Sequence, residues 1–422
     1  MSRRYLQFFT AFKRAAKKSR FGIGYLGVLF VLALTCNSLA NEWPLLAAKN
    51  GQLFLPAFHQ SLSDMGLIKS VNYPRLEFFQ APDFHLLIKA PIPYSPSTMD
   101  ERNSRSVSPF AKQDVSSLCE RHWLGTDELG HDVLALLIHG ARLALWVGLG
   151  SMSIAGFLGI LLGALAGYFG DERMRLSRAR LLMICLAFGV GFFFAFNSRY
   201  FILLDAWRDS MLSFLLQACI SIGLFLIIFY VFYRGANWLE KVSFFNTRFA
   251  LPLDALILRL IEVLLALPML FLILAIVAIA KPSLGLVVVI IGFTSWTGIA
   301  RLVRAEMLRI RSMPYMEASQ ALGFSPGYSL WRHALPNAMG PVFVALAFGF
   351  ANAILIESGL SFLGLGVPPE VLTWGALLAE ARQSASSWWL AIVPGLAIFC
   401  TVMACNSLAE RFAKRPDSSS AN

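Results

Sequence analysis

Side chains able to do covalent or acid–base chemistry are sparse in this 422-residue sequence, and their spacing matches no reaction centre. The six histidines, at 59, 85, 122, 131, 139 and 333, form no HExxH and no i, i+4 pair that would hold a metal on one helix face. No GxSxG elbow presents a nucleophilic serine. No GxxxxGK[ST] loop cradles a nucleotide's phosphates, so any ATP must be hydrolysed by another chain. Cysteines 36, 119, 185, 219, 400 and 405 form neither a CxxC pair nor a disulfide framework. Glu262 and Glu357 lie in apolar runs, where an acid can relay protons. Their places near a span end or a bundle interior favour hydrogen-bonded packing instead. The expectation is no enzyme, no metal and no cofactor.

One stretch has the character of a docking element. Within 312–326, Pro314 fits a first helical turn, Glu317 suits the positive N-terminal end of a helix, and Gly323 suits a C-terminal position with φ > 0. Ser325 and Pro326 then read as the N-cap and first residue of a second short helix, and Leu335-Pro336-Asn337 opens the next apolar run. A helix–glycine–helix knob between two apolar runs is a shape on which a soluble partner can seat.

The elements that carry this knob are membrane helices. The chain is 57% hydrophobic and 14% charged, with a mean hydropathy of +0.63, against about 45–50% and about 25% for soluble domains. This excludes disorder, a nucleic-acid-binding domain and a disulfide scaffold as whole-chain readings, and argues against a soluble enzyme. A crossing helix needs about 20 apolar residues. Eight runs qualify: 21–40, 142–168, 181–200, 212–233, 256–280, 284–303, 337–363 and 388–409. Lys281-Pro282-Ser283 forms a tight turn between the fifth and sixth.

The net charge of +11 reports topology rather than a nucleic-acid partner. With the N-terminus inside, inner segments hold 22 Lys and Arg and the short outer loops hold four, which places both termini in the cytoplasm. The alternative for the first run, a signal peptide cleaved after Ser38-Leu39-Ala40, leaves the remaining topology unchanged. Segment 41–141 is polar and rich in Pro and aromatic residues, and reads as an external lobe followed by a flexible Ser/Arg-rich linker at 97–108. Gly159, Gly163 and Gly167 recur at i, i+4, i+8, the spacing that lets helices approach closely in lipid. They predict a packing seam, within the chain or with a second subunit.

Glu317-Ala318-Ser319, Gly323 and Leu335-Pro336 resemble the EAA motif of permease subunits of bacterial ABC importers, with Ser319 in place of the third motif residue, Ala. The segment 122–133 (HWLGTDELGHDV), Gly140-Ala141-Arg142, 167–170 (GYFG), 259–262 (RLIE) with Leu267-Pro268, 332–337 (RHALPN), 357–366 (ESGLSFLGLG) and Trp374-Gly375 narrow the resemblance to the dipeptide/oligopeptide/nickel permeases of the second-subunit type. It covers 122–170 and 254–415, about half the chain. His131 departs from the family's Arg and Ala135-Leu136 from its Ser-Arg. Segment 171–253 interrupts the family pattern with two further apolar helices, and Asn41 to Leu46 with the enlarged lobe resembles the microcin C/peptide importer branch.

The resemblance implies an all-α polytopic protein of the type I ABC importer permease fold, with about eight transmembrane helices, two of them an insertion, plus the external lobe. It divides the chain into 1–40, 41–141, 142–170, 171–253, 254–415 with a coupling loop at 304–336, and a disordered tail at 416–422. It implies residence in the bacterial inner membrane, ATPase coupling through Glu317, Ala318, Ser319, Gly323, Leu335 and Pro336, and these partners: two ATP-binding-cassette ATPases, a second homologous permease, an extracytoplasmic substrate-binding protein and membrane lipid. Peptides lead as the substrate class, although nickel and opines also travel through this family. The competing reading is a membrane scaffold or ligand sensor that has lost transport, and a secondary transporter fits less well because paired broken helices and midplane charge are not apparent.

Overall fold

The computed structural model describes residues 20–49, 52–59, 84–115, 117–209, 211–368, 371–384 and 386–413. The basic segment 1–19 and the tail 416–422 lie outside the described residues. Helices dominate because lipid offers the backbone no partner, so each crossing segment closes its own hydrogen bonds. They are α1 (Arg20–Leu39), α2 (Val133–Phe169), α3 (Arg178–Phe192), α4 (Tyr200–Asp209), α5 (Met211–Leu239), α6 (Leu253–Ala266), α7 (Met269–Ile279), α8 (Leu284–Arg311), α9 (Pro314–Ala321), α10 (Pro326–Ser329), α11 (Leu335–Phe362), α12 (Trp374–Ala381) and α13 (Trp388–Ala413). Seven of the helical runs are long and apolar enough to cross a membrane by themselves. The protein is thus an all-α polytopic membrane protein.

The fifth expected run, 256–280, is not one straight helix. It breaks at Pro268 into α6 and α7, bent by 79°. Proline lacks the N–H that would continue the ladder, and Pro268 sits in extended backbone (φ −60, ψ 124). Chain direction shows how to count this pair. α2 and α8 pack side by side in the same direction, residues 159, 163 and 167 meeting 296–299, 300–303 and 304–307. The chain between them must therefore cross the membrane an odd number of times. The crossings of α3 and α5 are two, and α6 with α7 makes the third, giving eight among the described residues.

α2 begins at Val133 rather than 142 and has 37 residues. At 1.5 Å per residue it is about 55 Å long, well beyond the ~30 Å hydrocarbon core. That surplus is enough to carry one end of the helix beyond the hydrocarbon core.

By contact the chain falls into two compact units. The first comprises Met1–Leu45, Ile88–Tyr168 and Ile257–Asn422. Here α11 packs on α8, α12 and α13, and α13 on α1. Leu29, Ala141, Ala144, Ile354, Trp374 and Ile398 form one buried cluster, and Val133, Leu136, Leu377, Trp389 and Leu390 another. Of the three buried indoles among the described residues, Trp374 Nε1 donates to Leu137 O (3.0 Å) and Trp389 Nε1 to Thr126 O (3.1 Å), whereas Trp296 Nε1 meets no acceptor.

The second unit comprises Leu46–Leu87 and Phe169–Leu256. It contains a three-stranded sheet in the order β2-β1-β3, from β1 (Leu46–Lys49), β2 (Gln52–Phe54) and β3 (Phe84–Ile88). It also holds α3, α4 and α5, with α5 packed on both others. Phe188 of α3 meets Phe225 of α5 edge-on, and Phe196, in the turn after α3, meets the same ring at a tilt. The feet of the hairpin are tied by an antiparallel ribbon of β4 (Arg175–Ser177) and β5 (Arg248–Ala250).

The Ser/Arg-rich run 97–108, expected as a flexible linker, is instead hydrogen-bonded in place. Arg105 N and Ser106 N donate to Glu128 O (3.0 Å) and Asp127 O (2.9 Å), and Val107 N to Thr126 Oγ1 (2.9 Å). Composition alone did not reveal that the 122–133 loop supplies these acceptors.

Candidate functional site

The helix–glycine–helix element forms where its local chemistry dictates. α8 ends at Arg311, Met313 caps α9, and Pro314 occupies its first turn with Glu317 just behind. Gly323 adopts φ +76, a conformation that costs a side-chain-bearing residue about 1 kcal/mol. The turn closes with Gly323 N on Gln320 O (2.9 Å) and Phe324 N on Ser319 O (3.3 Å). Ser325 then caps α10 by accepting from Tyr328 N (3.3 Å). A π-helical turn, Leu330–Ala334, leads into α11, with Leu335 and Pro336 at its start.

Burial divides this element into a root and a face. Met316, Leu330 and Ala334 are fully covered. Ser319 and Ser329, both buried, face each other with Oγ···Oγ 2.8 Å and pin α9 to α10. The serine standing where the resemblance expects alanine thus has a specific partner ten residues on. Glu317, Ala318 and Pro336 are exposed and Leu335 half-buried. Beside them an apolar face lies open: Leu322 is 74% exposed and Trp331 57%. Phe324, stacked on Tyr328 at 5.1 Å, extends it.

The glycines of α2 lie against α8. A Cβ on Gly159 would sit 2.7 Å from Ile299 Cβ and 2.9 Å from Trp296 O, and one on Gly163 2.9 Å from Val303 Cβ. One on Gly167 would lie 2.5 Å from Arg304 O. Arg311, at the foot of α8, donates from Nη1 to Gly167 O (3.4 Å). The seam therefore lies within the chain and ends one residue before the loop.

At the opposite end of α2 the 122–133 segment builds a cap that the sequence reading missed. Asp132 Oδ1 accepts from Ala135 N (2.7 Å), capping α2. His122 is fully buried, with Nδ1 2.8 Å from Asp132 Oδ2, Nε2 3.3 Å from Asp100 Oδ2, and Tyr94 stacked at 4.3 Å. Burial opposes the imidazolium charge, but the hydrogen bonds and charges of Asp132 and Asp100 outweigh it and raise the His122 pKa above 6.5. Asp127 accepts from His131 N (2.7 Å) and Leu129 N (3.0 Å), and its other oxygen pairs with His131 Nδ1 at 2.5 Å. Gly125 (φ +79) and Gly130 (φ +89) allow the loop to turn this tightly. Glu380 on α12 accepts from Glu128 N (2.8 Å). Burial pushes its pKa up to about 7, the Glu128 N–H and His131 opposing this and the Asp127 and Glu128 carboxylates adding to it.

The two membrane acids are engaged. Glu262 pairs with Arg259 at 2.8 Å, and buried Glu357 accepts from Ser361 Oγ at 2.7 Å. Among the described residues no group of three His, Cys, Asp or Glu side chains could hold a metal ion.

Residues 242–418 match the family of binding-protein-dependent transport system inner membrane components. The chain is 32% identical to the di/tripeptide transport system permease protein DppC of Pseudomonas aeruginosa, over 69% of this chain and 70% of that one. It is 26% identical to the dipeptide transport system permease protein DppC of Bacillus subtilis, over 68% and 66%. A Brucella suis protein carrying the name peptide transport system permease is 36% identical over 37% of this chain, and the match spans about half (53%) of that relative's length. Matched motifs, matched length and a helical membrane architecture agree: the chain belongs to the binding-protein-dependent transport inner-membrane components, in their DppC/OppC-like permease branch.

Proposed function

We propose that this protein is a permease subunit of an ATP-driven importer of di- or oligopeptides in the bacterial inner membrane. It forms half of the translocation pathway and couples to a separate ATPase through the loop around Glu317 to Gly323. The observation that carries this reading is the element α9–α10: a buried root tied by Ser319 and Ser329, and an exposed apolar face at Leu322, Phe324, Tyr328 and Trp331. The names of the DppC relatives support the peptide class.

The loop follows α8 directly, and α8 is locked to α2 along a seam of glycine against backbone. A push on the loop would move these two helices as one body toward the cap at residues 94–132. Coupling of this kind requires that the ATPase touch the loop differently in its two states. Two ATPase subunits, a second permease and an external binding protein complete the system. The excess of Lys and Arg in the inner segments supports a cytoplasmic location for both termini.

A Cβ on Gly323 meets nothing within 4 Å. Glu317→Lys with Gly323→Asp therefore changes the face presented to a partner while sparing the spans. Affinity purification of the intact chain should bring down an ATPase and a second permease, and the double variant should lose only the ATPase. Absence of an ATPase from both preparations would overturn the coupling reading and favour a scaffold or sensor.

A further inference from the structure

Among the described residues, the segments at the feet of the inserted hairpin hold more positive charge than negative. Arg173, Arg175, Arg178, Arg234, Lys241 and Arg248 are all exposed. The acidic residues of these segments are fewer, Asp171, Glu172, Glu240 and Asp254 against seven Lys and Arg. Glu240 pairs with Arg180 (2.9 Å) and accepts from Ser177 Oγ, and Asp171 accepts from Ala255 N (3.0 Å). In the ribbon Arg175 lies opposite Ala250, and Ser177 opposite Arg248. Arg175 and Arg248 are thus diagonal neighbours on one face, a separation of about 7–8 Å between Cα atoms. Two guanidinium groups at that spacing can close on one phosphate from either side. α3 starts at the next residue with no acid in its first turn and with Arg178 at its positive end, the reverse of what the helix dipole favours.

The surroundings identify what supplies the missing negative charge. Trp238 is 74% exposed at the end of α5, and Phe244, 65% exposed, lies 5.0 Å beneath the Arg178 guanidinium. Exposed aromatic rings beside cations at the ends of apolar helices mark the headgroup level of a bilayer. From this arrangement we infer that the β4–β5 ribbon, with Arg175, Arg178 and Arg248, is a binding site for the phosphate headgroup of an anionic phospholipid. The inserted hairpin thereby becomes a lipid-anchored element. This inference does not depend on the transport reading.

The test is native mass spectrometry of the delipidated full chain titrated with phosphatidylglycerol or phosphatidylcholine of the same acyl composition. The intact chain should retain phosphatidylglycerol with at least about a tenfold preference, since each cation near an anionic surface contributes about fivefold. The preference should fall as salt rises. Arg175→Gln/Arg178→Gln/Arg248→Gln should abolish it and the corresponding Lys triple should keep most of it. The Lys variant separates charge recognition from failure to insert. Equal retention of both lipids by the intact chain, or an unchanged preference in the Gln triple, would overturn the site. So would displacement of the lipid by equimolar inorganic phosphate, which would make it a site for free anion. Loss of a copurifying ATPase with unchanged lipid retention would mark the ribbon as a protein contact and likewise overturn the inference.

Discussion

Replacing Gly163 by alanine sets two known effects against each other. In a helix interior, Ala is favoured over Gly by up to about 1 kcal/mol. In the seam, however, the added Cβ would stand 2.9 Å from Val303 Cβ and 3.0 Å from Ala300 Cα, and closer still to Ala300 O. Carbon pairs are most stable at about 3.5–4.0 Å, so α2 and α8 must separate locally by about 0.5–1 Å. Two of the three obstructing atoms are backbone and cannot rotate away. A gap of that size forfeits a quarter to a half of each dispersion contact along the seam, and overpacking typically costs about 1–3 kcal/mol. The net effect is destabilisation by up to about 2 kcal/mol. Gly298 on α8 supplies the control, because a Cβ there meets nothing within 4 Å. Gly298→Ala should be neutral or stabilising by up to about 1 kcal/mol. Thermal unfolding of the two variants in the same detergent should separate their Tm values by a few degrees, with Gly163→Ala lower. Equal Tm values would refute the seam as a close backbone contact.

Two further perturbations test the loop and the cap. Ser319→Ala should cost about 1–3 kcal/mol, because it leaves the buried Ser329 hydroxyl without its partner. Ser329→Ala should do the same, and the double Ala variant should recover much of the loss. Strict additivity in the double-mutant cycle would show that the hydroxyls do not act as a pair. Glu380 binds its proton more tightly in the folded protein, at about 7 against an ordinary 4.5. Its contribution is fully present below pH 4.5 and is lost as pH rises through 7. Discounted for partial exposure, that loss is about 1–2 kcal/mol. Glu380→Gln should flatten the fall in Tm between pH 5 and 8, and an unchanged slope would show that the carboxyl is not buried against the 122–133 loop.

Much of the membrane architecture was legible because lipid enforces one rule: an apolar run of about 20 residues must be a helix. The first and last expected runs coincide with α1 and α13 to within a few residues. The helix–glycine–helix loop was legible too, since proline at a first turn and glycine at positive φ are local requirements. The break at Pro268 was visible as a residue but not as a consequence, because a proline in an apolar run either kinks the helix or divides it, according to its neighbours. The cap around His122 was not legible. Its members lie at 94, 100, 122, 127, 131, 132 and 380, and polar residues far apart in sequence carry no period that announces their meeting.

Sequence by itself determined that this is a helical membrane protein of the binding-protein-dependent permease type, for hydropathy, charge asymmetry and short motifs are properties of contiguous residues. Tertiary structure alone decided which face of α2 the glycines pack, that α2 and α8 run in parallel, and that Ser319 finds Ser329. It also decided that Arg175 and Arg248 share one face of a ribbon although 73 positions apart. The physical reason is common to all four: each depends on distances between segments that the chain brings together only when its apolar helices have packed.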